Sequence, residues 1–154
     1  MNDSFSTSVI IHADRKFIWQ TLTDPQLMTK WLGEPDMQLE VQCNWVLNEP
    51  IIIRGFNHIK FENKGVVLQF HTNSRLTYSH LSSISLLADK HENYSILDFI
   101  LLNATDGTEL QLYITNFPTE VIRKHLESYW RATVGKIKKM AEELTSKGFA
   151  KSNS

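Results

Sequence analysis

The chain has 154 residues, a formal net charge of −1, 42% hydrophobic residues and a single cysteine, Cys43. At roughly 100–200 residues per domain this reads as one domain over 1–154, large enough to bury about two-thirds of its unfolded surface. The balance excludes a disordered chain, a disulfide framework, a zinc site of several thiolates and any overall electrostatic pull toward nucleic acid.

Residues 5–12, FSTSVIIH, are rich in β-branched and aromatic types and predict a strand. Asp14 is a plausible N-cap for a helix carrying Phe17, Ile18 and Leu22 at helical spacing. Asp24-Pro25 ends that helix and starts another, QLMTKWL, because proline suits a first helical turn. Gly33 and Pro35 close it.

From Met37 to Thr115 the pattern is that of strands. VQCNWVL, PIIIRGF and FNHIKF read as short β segments. In VVLQFH, Val66, Leu68 and Phe70 alternate with Val67, Gln69 and His71. Leu76, Tyr78 and His80 share a face, as do Leu97, Phe99 and Leu101, and Leu110, Leu112 and Ile114. Such alternation gives one buried and one wetter face, as in an antiparallel sheet. Asp106-Gly107 is a hairpin-turn signal.

Thr119 is a plausible N-cap of a last helix. Ile122, Leu126, Tyr129, Trp130, Thr133, Ile137, Met140, Ala141 and Leu144 form one apolar stripe over about 25 residues, roughly 37 Å of helix. Lys147-Gly148 reads as its stop, so the ordered core is expected over about 5–146 with a tail at 147–154. Gly135 lies mid-helix, where it costs about 1 kcal/mol relative to alanine. It reads as a packing contact, or as room for a ligand. The element order makes the chain α+β, with the long helix covering one face of the sheet. No apolar run approaches the roughly 20 residues of a membrane-spanning helix, so no integral membrane association is expected. MNDSFSTSV lacks the features of a secretory signal, and a cytoplasmic location is expected.

With Ile18-Trp19, LTDPQLMTKWL, Trp45, RLTYSH, DGTELQLYIT and Trp130 in this order, the chain resembles the START-like, or SRPBCC, superfamily, and within it the AHSA1-like group named for the activator of the heat-shock chaperone ATPase. The residues carrying the resemblance are Val9-Ile10, Ile18-Trp19, LTDPQLMTKWL (Leu22–Leu32), Trp45 and Gly65-Val66-Val67. RLTYSH (Arg75–His80), DGTELQLYIT (Asp106–Thr115) and Trp130 complete the set, which covers about residues 5–145. Three positions depart from the family's pattern. Tyr129 precedes Trp130 where glycine is frequent, His80 stands where tryptophan is usual, and Gln42-Cys43-Asn44 replaces a glycine pair. The resemblance implies a helix-grip fold: a curved antiparallel sheet of six or seven strands gripping the long helix, with two short helices after strand 1. It also implies a cavity between sheet and helix that holds a small apolar or amphipathic molecule.

The composition includes four Trp and eight Phe. Periodicity alone reads the inward aromatics as a filled core; with the resemblance they read as a ligand-binding pocket. Its walls are expected to be Trp31, Trp45, Phe70, Leu97, Phe99, Leu112, Trp130 and Val134, with Tyr78 and His80 as polar contacts. Tryptophan indoles need partners when buried, which favours a use or a wet cavity.

No catalytic constellation is visible. The histidines, His12, His58, His71, His80, His91 and His125, lack metal-ligand spacing, and no cofactor motif occurs. Asp24 reads as a cap, Asp98 as solvent-side and Cys43 as a buried, inert thiol. The function read is therefore non-enzymatic binding of a small apolar ligand. The alternatives are a co-chaperone-like regulator that binds a heat-shock chaperone, and an enzyme resembling polyketide cyclases with His80 or Tyr78 as acid/base. A filled interior would favour the co-chaperone, and a deep pocket either of the other two.

Overall fold

The computed structural model describes residues 4–152, with side-chain environments up to residue 147. Seven strands form one antiparallel sheet: β1 (Ser4–Ile11), β2 (Glu40–Cys43), β3 (Pro50–Asn57), β4 (Ile59–His71), β5 (Arg75–Ser82), β6 (Ser95–Ala104) and β7 (Gly107–Thr115). The sheet order is β1-β7-β6-β5-β4-β3-β2, so the first strand closes beside the last and the rest follow as a meander. Two helices, α1 (Arg15–Thr23) and α2 (Pro25–Leu32), follow β1, and α3 (Glu120–Ser152) ends the chain. This is the helix-grip architecture.

Period-two patterning explains the inner face. Leu97, Phe99 and Leu101 of β6 and Leu110, Leu112 and Ile114 of β7 are buried, and registers such as Phe99 opposite Leu112 place them side by side. Asp98 points the other way and receives Arg75 in a two-pronged ion pair at 2.7 and 2.9 Å, with Thr77 donating at 2.8 Å. The helix starts follow their caps. Asp24 Oδ1 accepts from the Gln26 N–H at 2.9 Å, and Thr119 Oγ1 from the Ile122 N–H at 3.2 Å. Asp14 caps α1 through its backbone carbonyl and not its side chain.

Several elements differ from the sequence pattern. The segment VQCNWVL is a strand only to Cys43, because Trp45 takes a left-handed conformation (φ 55°) that turns its ring into the core. FNHIKF is a hairpin between β3 and β4, turning at His58 (φ 65°). In β4 the alternation breaks at a bulge between Val67 and Gln69. Val67 is therefore fully buried, Leu68 lies exposed, and Phe70 still reaches the core. The extra residue adds local bend and twist to the strand.

Helix α3 runs through Gly148 to Ser152, past the expected stop; one glycine costs too little to end a helix already propagating. Gly135 is on the exposed face, and a Cβ there would meet nothing within 4 Å, so it is neither a packing contact nor room for a ligand. The helix packs on α1, α2 and β1. Its C-terminal half is tied to the β1 end, where Lys138 donates to the Ile10 carbonyl at 2.9 Å and the His12 N–H donates to Glu142 at 2.9 Å. No helix among the described residues is long and apolar enough to cross a membrane.

Candidate functional site

The interface between sheet and α3 is filled at one end and open at the other. At the filled end an aromatic chain runs through the core. Trp45 stacks on Phe70 at 5.7 Å and Phe70 meets Trp19 at 5.2 Å. Tyr78 stacks on Phe99 at 5.9 Å, Phe99 meets Trp130 edge-on at 5.5 Å, and Trp130 meets Trp31 at 6.0 Å. Such tilted and offset pairs add to the hydrophobic gain of burial.

Beyond Tyr78 and Trp130 lies a cavity of about 590 Å³. The sheet contributes Ile53, Asn63, Tyr78, His80 and Ser95, and the segment after α2 contributes Met37 and Leu39. The first turns of α3 contribute Val121, Ile122, His125, Leu126, Tyr129 and Trp130. The 83–94 connection, built on two short 3-10 turns, supplies Ile84, Leu87 and Asn93. Val121 and Ile84 are 77% and 50% exposed and mark the mouth, whereas Tyr78 and Trp130 are 3% exposed at the closed end. A second, more open groove of about 530 Å³ runs over β3 and β4 beside Glu40, Arg54, Lys60 and Glu62. Its Arg54–Glu62 pair at 3.1 Å satisfies its own charges, and it is a surface feature.

Of the ten residues expected at a pocket, Tyr78, His80 and Trp130 line the cavity. Trp31, Leu97, Phe99, Leu112 and Val134 are buried in the core behind it, and Trp45 and Phe70 pack against that core. Two indole groups find partners in α1: Trp31 Nε1 donates to the Thr21 carbonyl at 2.8 Å and Trp45 Nε1 to the Thr23 carbonyl at 2.6 Å. Those N–H groups close the end of α1 and need no wet cavity.

Sequence reasoning missed Asn63, His125 and Tyr129 as site residues. Tyr129 and His125 had a signal, being one helical turn apart on α3 and next to the stripe residues Leu126 and Trp130; their rings stack at 6.4 Å. Asn63 had none, because its place depends on the pairing of β4 with β3 and β5.

The titratable groups of the cavity are Tyr78, His80, His125 and Tyr129. No Asp, Glu, Lys or Arg lines it among the described residues. Burial holds the Tyr78 phenol far above its ordinary pKa and pushes Tyr129 up to about 12. Removal from bulk water, with a smaller contribution from His125, pushes His80 down to about 4. His80 is half-buried and lines the cavity. Tyr129 donates its hydroxyl proton to the Leu32 carbonyl at 2.5 Å, which ties α3 to the end of α2. Asn63 Oδ1 is buried with no hydrogen-bond partner among the described residues, a state that costs about 1–3 kcal/mol. Cys43 is half-buried, and burial raises its thiol pKa, which disfavours the thiolate. Among the described residues no three His, Cys, Asp or Glu side chains are placed to hold a metal ion.

Residues 12–142 match the family described as Activator of Hsp90 ATPase homolog 1-like protein. No curated protein matches the chain significantly. Among solved structures, a protein from Cytophaga hutchinsonii is 27% identical over 95% of this chain and 98% of its own, with a TM-score of 0.76. The Aha1 dimer from Colwellia psychrerythraea is 18% identical over 91% of this chain and 96% of its own, with a TM-score of 0.72. DynU16, from the dynemicin biosynthetic locus, is 15% identical over 92% of this chain and 48% of its own, with a TM-score of 0.71. The last two likenesses are of fold alone.

Proposed function

The chain belongs to the Activator of Hsp90 ATPase homolog 1-like family, and we propose that its cavity binds a small hydrophobic or amphipathic molecule without chemically changing it. The observation that carries this is the cavity itself: about 590 Å³ between sheet and α3, within the range of roughly 300–1,000 Å³ typical of small-molecule sites. Its walls are mostly apolar, and about 200 Å² of apolar ligand surface buried there is worth about 5 kcal/mol before ordering costs. A co-chaperone that worked only through its outer surface would have no need of this space.

Binding without turnover is favoured by the state of the polar groups. Tyr78 and His80, the two candidates for acid/base work, have no side-chain partner among the described residues to orient them or tune them toward neutral pH. Burial moves the pKa of each away from the physiological range, Tyr78 upward and His80 downward.

The test is native mass spectrometry and ligand-observed NMR against a panel of lipids and aromatic compounds, with Trp fluorescence as a third readout. One-to-one binding that changes the emission of Trp130 is the expected result. Failure of every apolar compound to bind folded protein would overturn the proposal. Conversion of a bound compound, lost in His80→Ala while the fold persists, would replace it with the enzyme reading.

A further inference from the structure

Tyr78 and Trp130 stand at the closed end of the cavity, and Ile84 and Val121 stand at its mouth among Ser82, Ser85 and Thr119. Tyr78 and Trp130, both 3% exposed, flank the same Phe99 ring at 5.9 and 5.5 Å. Neither the Tyr78 hydroxyl nor Trp130 Nε1 makes a hydrogen bond to another described residue, although both side chains line the cavity. An indole N–H only donates, and a phenol without an acceptor has its proton to give. His80 lies two residues from Tyr78 on the same strand face, about 7 Å along β5. At the other end, Ile84 and Val121 are half to three-quarters exposed.

We propose that the ligand is uncharged and carries a hydrogen-bond acceptor, such as a ketone or ester carbonyl, which enters first and meets Tyr78 and Trp130 while the apolar body fills the space toward Ile84 and Val121. This rests on the binding reading above and adds the ligand's chemistry and direction.

Both donor atoms are accessible from the cavity, and they select for an acceptor because a ligand that displaces water from them without accepting forfeits that hydrogen bond. The lining selects against charge for a separate reason. An ionised carboxylate moved into the cavity loses its hydration, and no Lys or Arg among the described lining residues replaces it. At the closed end His80 supplies no cation at neutral pH, because enclosure lowers its pKa to about 4, and the second histidine of the lining, His125, is an exposed residue. A cationic ligand fares no better, since no Asp or Glu is present in that lining.

Three probes on one skeleton test this at neutral pH by ligand-observed NMR: 2-acetylnaphthalene, 2-ethylnaphthalene and 2-naphthoate. The ketone is expected to bind about tenfold more tightly than either the hydrocarbon or the carboxylate. In Tyr78→Phe, which keeps the ring against Phe99 and removes only the hydroxyl, the ketone's advantage should fall to less than about threefold. Equal affinities for the three, or tightest binding of naphthoate, would overturn the inference and leave apolar binding standing. So would the failure of all three when a lipid of the wider panel binds. If nothing in either set binds folded protein, both proposals fall together.

Discussion

Acidification from pH 7 to pH 5 is expected to remove up to about 2 kcal/mol of stability through His80 alone. In the folded protein its pKa is held at about 4, against an ordinary value of 6.5, because the ring is kept from bulk water and His125 stands nearby. Between those values the unfolded chain binds a proton that the folded chain refuses. Protonation therefore favours unfolding: the stability is present above pH 6.5 and is lost as pH falls toward 4. Linkage gives about 0.2 kcal/mol of loss at pH 7, about 2 at pH 5 and about 3 at pH 4. Water entering the cavity would shrink these figures, so they are upper values. Other groups titrate in the same range. Asp89 and Glu120, both held below their ordinary values by hydrogen bonds to Lys64 and Arg123, lose those interactions on acidification. The comparison that isolates His80 is thus between wild type and His80→Gln, each unfolded with urea at pH 7 and pH 5. Wild type should lose about 2 kcal/mol more than the variant across that interval. Identical losses would refute the reasoning and place His80 in contact with bulk water.

Two glycines are expected to respond to alanine in opposite directions. Gly65→Ala would put its Cβ 1.7 Å from the Ser79 carbonyl oxygen, a backbone atom that cannot swing aside, and should cost about 3 kcal/mol or more by thermal or chemical denaturation. Gly135→Ala meets nothing within 4 Å and should gain about 1 kcal/mol from helix propensity, raising the melting temperature by about 2–4 °C.

The fold was legible because its signals are local and mutually consistent. The alternation in β6 and β7, the caps at Asp24 and Thr119, and the stripe of α3 each depend on residues within a few positions of one another. What the pattern missed depends on distant pairing. The bulge in β4 inverts the reading of Val67 and Leu68, and nothing in VVLQFH announces it, because it arises where β4 meets β5. Trp45 looked like a strand residue and lies instead in the connection after β2 with a left-handed backbone, held by Phe70 and by the Thr23 carbonyl, 22 positions earlier in the chain. The aromatics were correctly expected inside, but their periodicity carried no information on whether a ring fills space or borders it.

That last ambiguity has a physical origin in α3. Its apolar stripe runs unbroken from Ile122 to Ala141, yet its two halves do different things. Val134, Ile137 and Ala141 are buried in the common core, on the half that Lys138 and Glu142 tie to the β1 end of the molecule. Ile122, Leu126 and Tyr129 face the cavity, on the half where the sheet opposite is carried by β3, β4 and β5. Tyr129 fixes this half of the helix to the end of α2 through the Leu32 carbonyl. A stripe of hydrophobic residues records only that a face avoids water; what covers it is set by the elements that distant pairing brings opposite, α1 and β1 for one half of α3 and the cavity for the other.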